Sequence, residues 1–442
     1  MKWLLGTLVL LLIGLFFKLG LLVYGMYVLL GVLLVSRYLA WQWTSHLEAE
    51  RSCDQDSVQI GETARVGVSV RNLGRLAIPW VMMEDALPSD ALRQHPPRLH
   101  VAGTALALAR IRAGGDTSLG YEVTFQMRGY YQFGPLVVES GDVFGLHRRY
   151  RVLTTPHCVL VYPKLVALEG YDIASRRPMG EVRISHRLFE DPTRISGVRP
   201  YEKGDPLNRI HWRATARTGV LHSKTFEPSC IAGATLVLDF HAASFAVKNA
   251  QTRAELAITA TASLANAVYQ MGEQVGLVTN GRDAAERIRH EGWQQEFGTR
   301  ALASAKAGTQ GKSDRLQPII VETRKGADQL DGILRTLARL ELTDGFTLPD
   351  LLAETTSRLP RDATVIVVLP TVNEETAIAL GNLRRSGYAV TVVLVMFGTE
   401  GEYLDWAEPP EWAARLLAEG IDFRRLEDEA SLSRLCAERM LA

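Results

Sequence analysis

The chain has no excess charge of either sign: Lys plus Arg and Asp plus Glu both number 49 in 442 residues. A protein held on nucleic acid by its overall field would be strongly basic, so that class is set aside. Cysteine is scarce. The four thiols, at Cys53, Cys158, Cys230 and Cys436, form no C-x-x-C pair and stand near no histidine at metal-ligand spacing. They read as ordinary reduced thiols, which fits the cytosolic side of a membrane better than an oxidising compartment. Catalytic patterns are also missing: there is no G-x-S-x-G elbow, no H-E-x-x-H, and no G-x-G-x-x-G after a strand. The G-K-S at Gly311 to Ser313 lacks the earlier phosphate-loop glycine, since Lys306 stands there, and reads as a polar linker.

Long apolar runs, by contrast, are present. Residues 3–17 and 19–35 are almost wholly apolar and are interrupted only by Lys18. Together they exceed the length of one spanning helix and predict a transmembrane helical hairpin over 1–37. No small-residue cleavage site follows the first run, so a removed signal peptide is not expected. Arg37 and Arg51 after the second run favour both ends in the cytosol, with Lys18 against. The expected location is the inner (plasma) membrane, with the soluble domains cytoplasmic. Trp3, Tyr38, Trp41 and Trp43 suit an interface at one face.

From 38 to 165 the pattern turns to short alternating runs broken by Gly, Pro and Asn, as in a β-sandwich-like all-β region. Strands are predicted over 63–72, 77–84, 105–111, 119–127, 134–139 and 159–163. Arg128 to Pro135 (R-G-Y-Y-x-F-G-P) and Asp142 to Leu146 read as turns. After Pro228 the texture becomes α/β, with strands at 235–240, 274–279, 364–369, 389–396 and 421–424 and helices between them. That alternation predicts a doubly wound, mostly parallel sheet over 231–442.

Residues 166–230 link the two regions and hold the densest run of fixed charges. Gly204-Asp205-Pro206 predicts a turn, and 207–218 a short helix capped by Asp205. Arg209, Arg213 and Arg217 recur every four residues, along one face of that helix. Two readings stay open: internal pairing with Glu202, Asp205 and Glu227, or a docking surface for an acidic partner or a phosphate group. His211 has no obvious acid–base partner and reads as a structural histidine.

The spacing Arg199-x-Tyr201-x-x-Gly204-Asp205, then Arg209-Ile210-His211-Trp212, then Ala216-Arg217 and Lys224-x-Phe226-Glu227 resembles the bacterial family known as domain of unknown function 58. The 128–135, 142–146 and 159–163 motifs resemble that family too. The resemblance implies a membrane-anchored protein with a C-terminal von Willebrand factor A-like domain, whose genes often neighbour those of MoxR-type AAA+ ATPases. Such domains often hold a divalent cation through D-x-S-x-S; here Asp239 is followed by His241 and Ala243 at the two serine positions. No metal and no cofactor are therefore expected.

The expected function is a non-enzymatic adaptor for a MoxR-type ATPase. Its binding face is drawn from Arg199, Tyr201, Asp205, Arg209, His211, Trp212, Arg213, Arg217 and Asp239. The alternative is a scaffold of the cell envelope in which the signature only locks domains together and Trp212 is a buried aromatic. A hydrolytic reading would need turnover that depends on Asp239 or His211.

Overall fold

A computed structural model describes residues 2–142, 145, 147–168, 189–200, 210–229, 233–245, 250–291, 316–361, 363–396 and 411–435. The chain forms two compact units: Met1–Lys164 with Arg282–Ser313 and Leu334–Glu341, and Leu165–Gly281 with Asp314–Ile333 and Leu342–Ala442.

In the first unit the apolar runs become helices α1 (Lys2–Phe16) and α2 (Gly20–Ser45). Between them Lys18 takes a left-handed φ of 53°, and the Leu19 N–H donates back to Gly14 O at 2.9 Å. A side chain at Gly14 would meet Leu22 and Val23 at 3.2 Å, so the missing Cβ lets the helices touch. Of the two, α2 is long and apolar enough to cross a membrane, while Leu5–Phe16 is a shorter apolar stretch. Helix α2 runs to Ser45 rather than ending at Val35. Leu33, Ser36, Ala40, Trp43 and Thr44 are buried on the side that packs against the β-rich region, which holds this last part helical.

The β-rich region comprises β1 (Leu47–Cys53), β2 (Ser57–Val58), β3 (Thr63–Asn72), β4 (Ile78–Asp85), helix α3 (Ser89–Arg93), β5 (Leu99–Gly103), β6 (Leu106–Ile111), β7 (Asp116–Phe125), β8 (Gly129–Phe133), β9 (Leu136–Gly141), β10 (Arg148–Val152) and β11 (His157–Val161). Two four-stranded sheets, ordered β1-β3-β7-β5 and β10-β9-β4-β6, are antiparallel throughout, and a three-stranded sheet runs β2-β11-β8. Alternation sets which side is inside: in β3, Ala64, Val66, Val68 and Val70 are buried while Thr63, Arg65 and Arg71 face solvent. These residues share one core with Met83, Phe125, Phe133 and Val138 from the other strands.

The R-G-Y-Y-x-F-G-P segment, expected as a turn, carries strand β8 instead. Its pattern follows from close contacts. The Tyr131 ring lies where a Cβ on Gly129 would stand, 2.8 Å away, and the Tyr131 hydroxyl donates to Met127 O and Arg128 O. Gly134, at φ 82°, lies under the Arg51 guanidinium, which leaves no room for a side chain. Arg51 pairs with the fully buried Asp85 and donates to Phe133 O at 2.6 Å, while Tyr121 donates to Asp85 Oδ2 at 2.6 Å. Buried Arg128 donates through Nη1 to Leu337 O, Ala338 O and Leu340 O at 2.9, 3.3 and 2.9 Å, all in the Leu334–Glu341 segment of the same unit.

The second unit begins with β12 (Phe189–Pro200), helix α4 (Trp212–Thr218) and β13 (His222–Ser229), with β12 and β13 antiparallel from Phe189↔Ser229 to Pro200↔His222. Then come β14 (Gly233–Leu238), α5 (Ala250–Gln270), β15 (Gln274–Thr279) and, in the first unit, β16 (Arg282–Asp283) and α6 (Ala284–Glu291). The chain continues through β17 (Ile319–Arg324), α7 (Ala327–Arg339), β18 (Leu340–Glu341), α8 (Leu348–Thr355), β19 (Thr364–Leu369), α9 (Glu374–Arg385), β20 (Val390–Val395), α10 (Glu411–Ala418), β21 (Asp422–Leu426) and α11 (Glu429–Arg434).

A six-stranded sheet runs β17-β15-β14-β19-β20-β21, parallel except for β17 at its edge. Every residue of β19 and β20 is buried, as apolar runs covered on both faces require. The sheet is thus mixed: the doubly wound order is as expected, and the antiparallel edge strand β17 is added. The order reverses between β14 and β19, and at such a reversal open α/β sheets present a crevice beyond their carboxyl ends.

Candidate functional site

Helix α4 is short and closed at both ends. His211 is its N-cap: the imidazole Nδ1 accepts the Ala214 N–H at 3.0 Å, so this side chain holds the first turn of the helix. At the other end Gly219 takes φ 74°, and its N–H reaches Thr215 O at 2.9 Å. The helix is tied to β13 where the His222 N–H donates to Thr215 Oγ1 at 3.1 Å. The expected start at 207 is not met within the described residues, where the helix opens at Trp212. Tyr201, Asp205 and Arg209 lie outside them.

Ile210, 5% exposed, precedes the helix and bridges to Ser223 of β13, while Ala214 within the helix is half-buried. Trp212 and Ala216, two residues to either side of Ala214, fall on the opposite side of the helix at ~100° per residue. The expectation of a buried Trp212 in the scaffold reading is therefore corrected: its residue exposure is 68%. Arg213 and Arg217, also exposed, sit one turn apart beside it, and among the described residues neither side chain makes an ion pair or hydrogen bond. Exposed Val198, Val220 and Leu221 continue the surface along the strand ends. Arg199 is half-buried and donates to Pro200 O at 3.3 Å. Exposed tryptophan and arginine on a fixed backbone are the side chains over-represented where proteins bind each other tightly. Guanidinium forks match carboxylates in two-point pairing.

Asp239 is elsewhere in this unit, at the carboxyl end of β14, and is 2% exposed. Its Oδ1 accepts from the His241 N–H at 3.1 Å and from Asn280 Nδ2 at 2.9 Å. Asn280 closes the cluster by accepting the Phe240 N–H at 2.6 Å and donating to Phe346 O at 2.8 Å. His241 Nδ1 accepts the Ala243 N–H at 3.2 Å. This donor set does not suit a hard divalent cation. One carboxylate oxygen already has two donors, the two neighbouring hydroxyl positions hold an imidazole and a methyl, and the amide Nδ2 of Asn280 points at the carboxylate as a donor. Among the described residues no group of three or more His, Cys, Asp or Glu side chains converges elsewhere. Sequence reasoning missed Asn280, whose only signal was an Asn-Gly pair following an apolar strand.

Residues 197–317 match the family described as "Protein of unknown function DUF58". The uncharacterized protein YeaD of Bacillus subtilis (strain 168) is 25% identical over 238 residues, covering 53% of this chain and 56% of its own length. The match thus spans little more than half of that relative. Among solved structures, an aerotolerance-related membrane protein from Bacteroides fragilis covers 47% of this chain and 96% of its own, at 13% identity and a TM-score of 0.29. The CARDB domain of the PF1109 protein from Pyrococcus furiosus covers 26% of this chain and 91% of its own, at 17% identity and a TM-score of 0.17. Likenesses of that size bear on neither fold nor function.

Proposed function

Since the chain belongs to the DUF58 family by its residues 197–317, we propose that it is a membrane-anchored, non-enzymatic adaptor whose α4 face docks an acidic surface of a MoxR-type AAA+ ATPase. The observation that carries this reading is the exposed Trp212 flanked by Arg213 and Arg217, which have no acidic partner among the described residues. The two other groups suited to chemistry have structural work: His211 caps α4, and Asp239 is held by Asn280 and loop backbone. In this reading α1 and α2 form a two-helix anchor in the plasma membrane, with the folded units on the cytosolic side. The α/β sheet is of von Willebrand factor A type, a reading supported by its central first strand β14 being followed directly by Asp239.

The test is crosslinking and affinity capture from native membranes, with the wild type and an Arg213→Glu, Arg217→Glu pair compared. An AAA+ ATPase recovered with the wild type and lost with the pair is the expected result. Equal recovery with both forms, or no such ATPase with either, would remove the adaptor reading and leave the envelope scaffold.

A further inference from the structure

At the end of α2 the first unit has a cavity of about 470 Å³, inside the size range of small-molecule sites. One face of the helix lines it, with Arg37, Tyr38 and Trp41 at the spacing that puts side chains in one stripe. Facing them are His147, Arg148 and Arg149, at the start of β10. Three guanidiniums therefore surround one hollow. Arg148 has a carboxylate within reach, Glu139 at 3.6 Å, while Arg37 and Arg149 have no ion pair or hydrogen bond among the described residues. His147 is held at ring and backbone: its ring Nδ1 lies 3.1 Å from Ser36 Oγ, and its backbone N–H donates to Asp142 Oδ1 at 2.6 Å.

The depth of this hollow on α2 adds a second line of argument. A bilayer's hydrocarbon core is ~30 Å thick and takes about 20 helical residues. Counted from Gly20, that reaches the neighbourhood of Arg37, Tyr38 and Trp41. Leu21, Tyr24, Val28 and Val35 before this point are exposed, as lipid-facing residues are. The rings of Tyr38 and Trp41, 6.5 Å apart, would lie at the level where such amphipathic aromatics collect. Basic pockets at this depth recognise lipid phosphates.

We propose that this cavity binds the phosphate of an anionic phospholipid headgroup, with Arg37 and Arg149 as its principal contacts. The proposal rests on the reading of α2 as a membrane anchor. That reading fails separately, if the full chain stays in the soluble fraction when membranes are sedimented.

The experiment is native mass spectrometry of the full chain in detergent, titrated with phosphatidylglycerol and, in parallel, with phosphatidylcholine. Preferential retention of phosphatidylglycerol is expected. An Arg37→Gln, Arg149→Gln pair should weaken it on the order of 30-fold, at about 1 kcal/mol per arginine. Arg110→Gln, an exposed arginine in β6, should leave it unchanged. Thermal unfolding checks that the pair is folded, and if it is not, Arg37→Gln alone should show about a 5-fold loss. Equal retention of both lipids, or a folded variant that binds as well as the wild type, would overturn the proposal. Displacement by millimolar inorganic phosphate would also overturn it, in favour of a soluble anion.

Discussion

Replacing Trp212 with alanine separates a docking residue from a packing one. A fully enclosed tryptophan buries ~200 Å². At 68% exposure roughly a third of that is covered here, about 65 Å². At ~25 cal/mol per Å² the covered part is worth about 1.6 kcal/mol as an upper limit. Alanine is the better helix former by about 0.5 kcal/mol, so the net loss of stability should be near 1 kcal/mol. A tryptophan locked in a core would lose about 3–5 kcal/mol. Urea unfolding of the full chain in detergent measures the difference, with hydrogen exchange at the β14 amides reporting on the second unit locally. Over the same substitution, binding to the captured partner should fall by 30-fold or more, as for a residue worth at least ~2 kcal/mol in an interface. A stability loss of 3 kcal/mol or greater, or partner affinity unchanged in a folded variant, would refute the reasoning.

Asn280→Ala should cost about 2–4 kcal/mol, because it leaves the buried Phe240 N–H without its acceptor and removes one donor from Asp239; Asn280→Asp should not rescue it, since it sets a second carboxylate against the first. Urea unfolding of both variants checks this. Arg51→Met should cost about 3–5 kcal/mol at neutral pH by leaving buried Asp85 without its cation. Burial raises the Asp85 carboxyl above its ordinary range even with Arg51 and Tyr121 pulling it down. The folded state therefore holds that proton more tightly than the unfolded chain does. Stability from this group is present at low pH and is lost as pH rises through the folded value. The gap between wild type and Arg51→Met should accordingly narrow as pH falls toward the ordinary carboxylate range, and a gap constant with pH would contradict this account.

Strands with uninterrupted or cleanly alternating apolar residues were legible: β3, β15 and β19 have the bounds their sequence predicts. The strands that escaped detection lack that signal. β1, Leu47 to Cys53, follows α2 without a break and alternates Glu, Glu and Ser outward. β10 opens Arg-Arg-Tyr-Arg, and its basic residues read as loop until their place beside β9 is known. The last ten residues of α2 escaped for a different reason, because polar Arg37, Gln42 and Thr44 ended the apolar run while packing kept the helix going. At the candidate site the arginine spacing was visible in the sequence, but which side of α4 faced water was not. That depended on Ile210 and Ala214 being drawn inward, a tertiary fact. The Asn280 bridge depended in turn on two strands, β14 and β15, being brought side by side.

Arg128 has a consequence in time. Its guanidinium ends on carbonyls 209 to 212 positions later in the chain. At the usual pace of ~5–20 residues per second, a ribosome needs roughly 10–40 s to reach them. Throughout that interval the emerging β-rich segment has a charged side chain with its acceptors still unmade. Its last step of assembly must therefore wait until most of the chain has been translated. A message truncated before codon 334 would leave a nascent product that holds nearly all of these strands and cannot finish burying Arg128.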